Sequence, residues 1–158
     1  MIIHARVDER LVHGQVAAVW TNILRADRLY IVNDNAWQDD IVKGALSLAK
    51  PAGKKMTISS IRRAIINFRN KKYENERIFV ITKNIADMKT LVEAEIGLEE
   101  FNVGNLSGHD DSVQIKKSVS LSSQDIKDLK ELLDKQIKIT AQMVPGESDQ
   151  SIQVYLEK

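Results

Sequence analysis

Two periodicities alternate along the chain. Short β-branched runs stand at "IIHARV", "RLYIVND", "KMTIS", "RIFVIT" and "FNVGN", and between them apolar residues recur at helical spacing. That alternation predicts repeated βα units. The first helical stretch places Val16, Val19, Trp20, Ile23 and Leu24 at i, i+3, i+4, i+7 and i+8, one apolar stripe suited to packing on a sheet. Ile61, Ile65 and Phe68 form a second stripe, Met88, Leu91, Val92 and Ile96 a third, and Ile126, Leu129 and Leu133 a fourth. Residues able to cap helix N-termini follow the strands: Asn33, Asp34 and Asn35 after the second, Ser59 or Ser60 after the third, Asn84 after the fourth, and "SSQD" at 122–125 before the last long helix. Past a polar connection at 105–114, "IKKSVS" predicts a short strand. The tail segments "IKITAQMVP" and "SIQVYLE" predict two more around a Pro145-Gly146 turn.

Strands and helices in this order, joined by right-handed crossovers, predict an α/β fold: an open, mainly parallel central sheet with helices on both faces. Ligands of such sheets bind beyond the carboxyl ends of the strands. His13 follows the first strand at that edge, and Asp34, Ser59, Thr82 and Gly104 follow the others, so the five are expected around one crevice.

Composition narrows the possibilities. The 158 residues contain no repeat, low-complexity segment or linker, so one domain over 1–158 is expected. A formal net charge of +1 gives no reason to expect nucleic acid as a partner, and Arg62-Arg63 and Lys71-Lys72 read as solvated faces. The absence of cysteine excludes disulfides, thiolate metal sites and cysteine nucleophiles. Arg6, Asp8, Glu9 and Arg10 interrupt any secretory signal, and the uncharged run Leu11 to Leu24 falls short of the ~20 residues of a membrane span. A soluble, cytoplasmic chain is expected.

The segment "RVDERLVHGQV" at 6–16 holds one of only three histidines. His13 stands at the start of the first helix, where the N–H groups of Gly14, Gln15 and Val16 lack intrahelical partners and attract anions. Gly14 removes bulk where an anion would approach, and Arg10 can fork onto phosphate oxygens. A neutral imidazole keeps a free lone pair near pH 7 and can attack a phosphoryl group directly. Asp8 or Glu9 could orient the imidazole or Arg10, or stand as solvated loop carboxylates. The plain alternative makes His13 a helix cap and Arg10 a surface charge. His4 reads as a strand residue near the core, and His109 sits in a loop with no evident partner. No zinc spacing, Walker A sequence or dinucleotide fingerprint is present, so neither metal nor cofactor is expected.

"RVDERLVHGQV" followed by Trp20, "IVND" at 31–34, "NVGN" at 102–105 and "VP" at 144–145 together resemble the enzyme IIB components of the bacterial sugar phosphotransferase system, mannose/fructose/sorbose family. The resemblance covers essentially the whole chain. It implies that His13 takes a phosphoryl group on Nδ1, the pros nitrogen, from a phosphohistidine of a IIA partner. The group would then pass to a sugar held by the membrane components IIC and IID. It implies Arg10 as phosphoryl clamp, Gly14 and Gln15 as part of the same loop, and Arg6, Asp8 and Asp34 as supporting positions without a fixed role. A cytoplasmic protein held at the inner membrane face through IIC and IID follows, and Leu11-Val12 is expected as an exposed apolar tip that meets each partner. Gly104-Asn105 departs from the Gly-Gly of many mannose-type members and is similar to N-acetylgalactosamine-type members, although sugar choice should reside mainly in the membrane partners. A homodimer stays open, because helix stripes can serve an interface or the core.

Two other classes compete. A signalling receiver would need an acceptor aspartate where Ser59 and Ser60 stand. A non-catalytic binding module on the same fold would have no need to keep Arg10, His13 and Gly14 together.

Overall fold

The chain alternates strand and helix from its first residues: β1 (Ile2–Asp8), α1 (Gly14–Leu24), β2 (Arg28–Val32), α2 (Asp34–Gln38), α3 (Asp40–Ala49), β3 (Lys55–Ser59), α4 (Ile61–Arg69), β4 (Ile78–Thr82), α5 (Ile85–Glu93) and β5 (Glu100–Asn105). A hairpin of β6 (Val113–Lys116) and β7 (Val119–Leu121) follows, then α6 (Ser123–Asp134), β8 (Lys138–Thr140) and α7 (Gln153–Leu156). The computed structural model describes residues 1–157. The main sheet has six strands in the order β3-β2-β4-β1-β5-β8, and every neighbouring pair is parallel. Central strands of such a sheet are covered on both faces and read as near-continuous apolar runs, as β4 does.

Side chains alternate across the sheet, so the central strands β2 and β4 feed two cores. Ala5, Val7, Tyr30, Val32, Ile78 and Val80 pack against α4, α5, α6 and the hairpin. Leu29, Ile31, Phe79 and Ile81 pack on the other side with α1 and α3. Arg6 and Asp8 alternate with Ala5 and Val7, so they project on the α1 side. That places two charged residues in the middle of the sheet, beneath the first helix.

The four N-caps form as their residue types predict. Asn33, Ser60, Asn84 and Ser122 each accept a backbone N–H of their helix, and Asp125 completes a capping box with Ser122. The tail differs from expectation: "IKIT" supplies the edge strand β8, but "SIQVYLE" forms only a bridge from Ser151 to Thr140 and then the short helix α7. The Ile152 N–H bonds Ile139 O and its side chain is fully buried, and the chain then turns Tyr155 and Leu156 onto the α6 side instead of extending along the sheet. "IKKSVS" is split by a turn into the end of β6 and the start of β7. Helix α1 is also rotated relative to its apolar stripe. Ala17, Trp20 and Thr21 are buried while Val19 and Ile23 are exposed, because the small Ala17 and Thr21 allow close approach to the sheet.

Candidate phosphoryl-transfer site

The loop between β1 and α1 is held by its own turn. Leu11 N–H bonds Asp8 O at 2.9 Å, and Leu11 takes a left-handed conformation at φ 59°. That turn points Leu11 and Val12 inward, where both are buried in the core shared by α1 and α3. The expected exposed tip is therefore absent: the pair anchors the loop from below. His13 follows in extended conformation at the N-cap position of α1, and its side chain makes no capping bond. Gly14 has φ 46° with open space where a side chain would stand, so backbone conformation is what favours glycine here.

In place of capping, the imidazole turns to the end of β1, where His13 Nε2 lies 2.8 Å from Asp8 Oδ2. Asp8 is fully buried and receives three more donors: Arg6 Nε at 3.1 Å on Oδ2, and on Oδ1 the backbone N–H of Arg10 at 2.9 Å and Asn105 Nδ2 at 3.4 Å. Arg6 Nε and the Arg10 amide are donors only, so the carboxylate between them acts as acceptor and His13 must donate through Nε2. In the neutral ring the tautomer follows from that: Nδ1 carries no hydrogen and presents its lone pair.

Arg6 is buried with Asp8 and donates to Gln142 O at 2.9 Å, with its guanidinium 5.4 Å from the Trp20 ring centre. Burial pushes its protonation equilibrium down, against the upward pull of Asp8. Gly104 makes the guanidinium's position available, since a Cβ there would lie 2.0 Å from Arg6 Cζ. Two residues of the "NVGN" segment thus serve this loop from nearly a hundred positions away in the chain, Gly104 by lacking a side chain and Asn105 by donating to Asp8.

His13 opens on a cavity of about 370 Å³ that Arg10, Glu9, Lys83, Ile41 and Val42 also line. Arg10 is exposed, and its guanidinium has no ion-pair partner among the described residues. Gln15 is exposed on the first turn of α1. Other predicted crevice residues are employed elsewhere. Asp34 Oδ1 accepts the Ile61 N–H at the start of α4, Ser59 Oγ donates to Tyr30 OH, and Thr82 Oγ1 donates to Asn84 O. Lys83 and Asn105 were not singled out as site residues by their sequence. The signal for both lies in strand order, because β4 and β5 flank β1 and bring the residues at their carboxyl ends beside Asp8 and Glu9.

Known proteins share this fold and much of this sequence. The model of the PTS system sorbose subfamily IIB component matches residues 2–158. The sorbose-specific EIIB component of Lacticaseibacillus casei is 37% identical over 152 residues, covering 96% of this chain and 93% of that protein. The crystal structure of the IIB domain of the sorbose permease from Klebsiella pneumoniae superposes with a TM-score of 0.94 at 30% identity, covering 99% of this chain and 96% of that one. The N-acetylgalactosamine-specific IIB component 1 from Escherichia coli gives a TM-score of 0.90 at 31% identity, over 96% of this chain and 99% of that one. With the match running from β1 to the end of the chain, this protein belongs to the sorbose subfamily of phosphotransferase-system IIB components.

Proposed function

We propose that the phosphoryl group carried by this IIB component travels on Nδ1 of His13. IIB components are phosphotransferases of sugar uptake: they take the group from IIA and pass it to sugar, working with the membrane components IIC and IID. The observation that supports His13 as the carrier is its Nε2 bond to Asp8, which leaves Nδ1 as the nucleophilic nitrogen at the mouth of the cavity.

Loading forms the Nδ1–P bond as the N–P bond of the phosphohistidine donor breaks, and the donor ring takes back its electron pair. The His13 ring becomes cationic and keeps its Nε2–H, which the Asp8 carboxylate stabilises. Discharge reverses the electron flow: a sugar hydroxyl oxygen bonds phosphorus, its proton leaves to a base outside this chain, and the Nδ1–P pair returns to the ring. Such transfers pass through a loose transition state and need positioning and positive charge more than acid–base groups. Arg10, the free N–H groups of Gly14 and Gln15, and Lys83 are the donors this chain can direct at the three phosphoryl oxygens. Arg6 and Asp8 act beneath them as positioning residues, and Asp34 serves the start of α4.

Both apolar cores share the one sheet, which supports a single domain over 1–158. No helix among the described residues is long and apolar enough to cross a membrane, which agrees with attachment through IIC and IID.

The test is phosphoryl transfer from phospho-IIA to the wild-type chain and to His13→Ala, with the modified residue mapped by mass spectrometry under alkaline conditions. Label on His13 that vanishes in the variant is expected. A folded wild-type chain left unlabelled by its own IIA donor would overturn the assignment.

A further inference from the structure

We infer that Asn105 is a positioning residue of the phosphoryl relay, acting on His13 through Asp8. The inference rests on carriage by His13 and concerns what sets the ease with which that ring releases its group.

The parallel ladder between β1 and β5 pairs Val7 with Val103 and then Asp8 with Asn105, passing over Gly104. This bulge has two results. Gly104 is left beside the Arg6 guanidinium, and Asn105 arrives opposite Asp8. The main chain is fixed there by the Glu9 N–H, which donates to Asn105 O at 2.9 Å. From that base the amide Nδ2 reaches Asp8 Oδ1 at 3.4 Å, the longest of the four contacts made to the carboxylate.

The four donors differ in what they can adjust. Arg10 gives a backbone N–H that the turn dictates, Arg6 gives a buried charge that the fold needs, and His13 is the carrier itself. Asn105 is neutral and half-buried, and its backbone is not in the left-handed region, so its side chain can change without strain in the main chain.

The chemistry gives the direction. Each donor on a carboxylate draws off charge that would otherwise act on the Nε2–H of His13. With Asn105 in place, Asp8 pulls less strongly on that hydrogen, the ring is less electron-rich, and imidazole leaves phosphorus more readily. Loss of the amide strengthens the Asp8 grip, favours the loaded ring and slows discharge. A single long hydrogen bond corresponds to a modest change, about two- to fivefold in discharge rate.

The experiment compares wild type, Asn105→Ala and Asn105→Gln, the last retaining an amide on a longer stem. Two quantities are read: the ring ¹⁵N shifts of His13 in the unphosphorylated protein, and the discharge rate of phospho-His13 loaded from phospho-IIA. Asn105→Ala is expected to shift the ring nitrogens and slow discharge two- to fivefold, with Asn105→Gln lying nearer wild type. A residue that only braced β5 would change thermal stability and leave the ring shifts alone. Wild-type protein that takes no label would overturn carriage by His13 and this inference with it. Normal labelling with ring shifts and discharge unchanged in Asn105→Ala would overturn the inference alone.

Discussion

The Arg6 guanidinium occupies the space that a side chain at Gly104 would need. A Cβ on that glycine would meet all three outer guanidinium atoms, with Cζ only 2.0 Å away. The arginine is held flat on the strand by the Trp20 ring on one side, Gln142 O at its tip and Asp8 at Nε. One missing side chain on β5 therefore fixes a carboxylate on β1, and that carboxylate fixes the imidazole at the start of α1.

Gly104→Ala tests this chain of contacts from its far end. The guanidinium is enclosed and cannot move without losing Gln142 or Asp8, so overpacking should cost about 1–3 kcal/mol of stability. Phosphoryl transfer at a temperature where the variant is still folded should also fall, since Asp8 loses its partner. Thermal unfolding and transfer rates measured on the same preparation check both; an unchanged melting temperature would show that Arg6 has room the geometry denies it.

Asp8→Asn keeps the shape and changes the donor pattern. An amide has one accepting and one donating end, so it cannot accept from Arg6, Arg10, Asn105 and His13 together. Where its NH₂ faces His13, the ring must accept at Nε2 and hold its hydrogen on Nδ1, which removes the nucleophilic lone pair. Losing a charge-assisted bond of about 1.5–3 kcal/mol corresponds to transfer roughly 10- to 150-fold slower. Rapid-quench transfer from phospho-IIA measures the rate, and ring ¹⁵N shifts report the tautomer.

Leu11→Ala should act as a core truncation. Leu11 is 6% exposed and packs with Val12, Trp20 and Leu46 under α1 and α3. Removal of a buried leucine side chain costs about 2–5 kcal/mol, and the loss should appear in denaturant unfolding whether or not a partner is present. Stability equal to wild type combined with weakened transfer from IIA would instead place Leu11 at the partner surface.

Much of this was legible in the sequence, and what was not has a physical cause. The first five strands stand out because each is an apolar run bounded by cap or turn residues, and Arg10, His13 and Gly14 sit together within one short segment. The inward turn of Leu11-Val12 was hidden because it depends on a left-handed residue that is not glycine. Helix α3 gave no clear stripe, since Ile41 and Leu48 are among its most exposed residues. The contacts of Asn105 and Gln142 with the Asp8–Arg6 pair join positions far apart in the chain, and only the order β1-β5-β8 brings them together. Local periodicity carries no record of that pairing.

The histidine of β1 itself, His4, supplies a pH test of the same sheet face. His4 stacks on Trp20 at 5.6 Å and on Phe79 at 6.1 Å between ring centres, with little exposure of its side chain. Burial holds its imidazole below the ordinary 6.5, and Arg6 and Lys138 push the same way. Glu100 opposes them from 3.3 Å, but nearly half of that carboxylate's surface is open to water, which weakens its pull. The folded state therefore refuses a proton that the unfolded chain accepts. Stability from this site is fully present above about pH 6.5 and is lost as the pH falls from there through the lower folded-state value. Thermal unfolding followed from pH 7.5 to 5.5 should show a melting temperature that declines on acidification, with a shallower decline in His4→Gln, whose side chain does not titrate. Parallel curves for the two proteins would mean that His4 takes up its proton as readily in the fold as outside it.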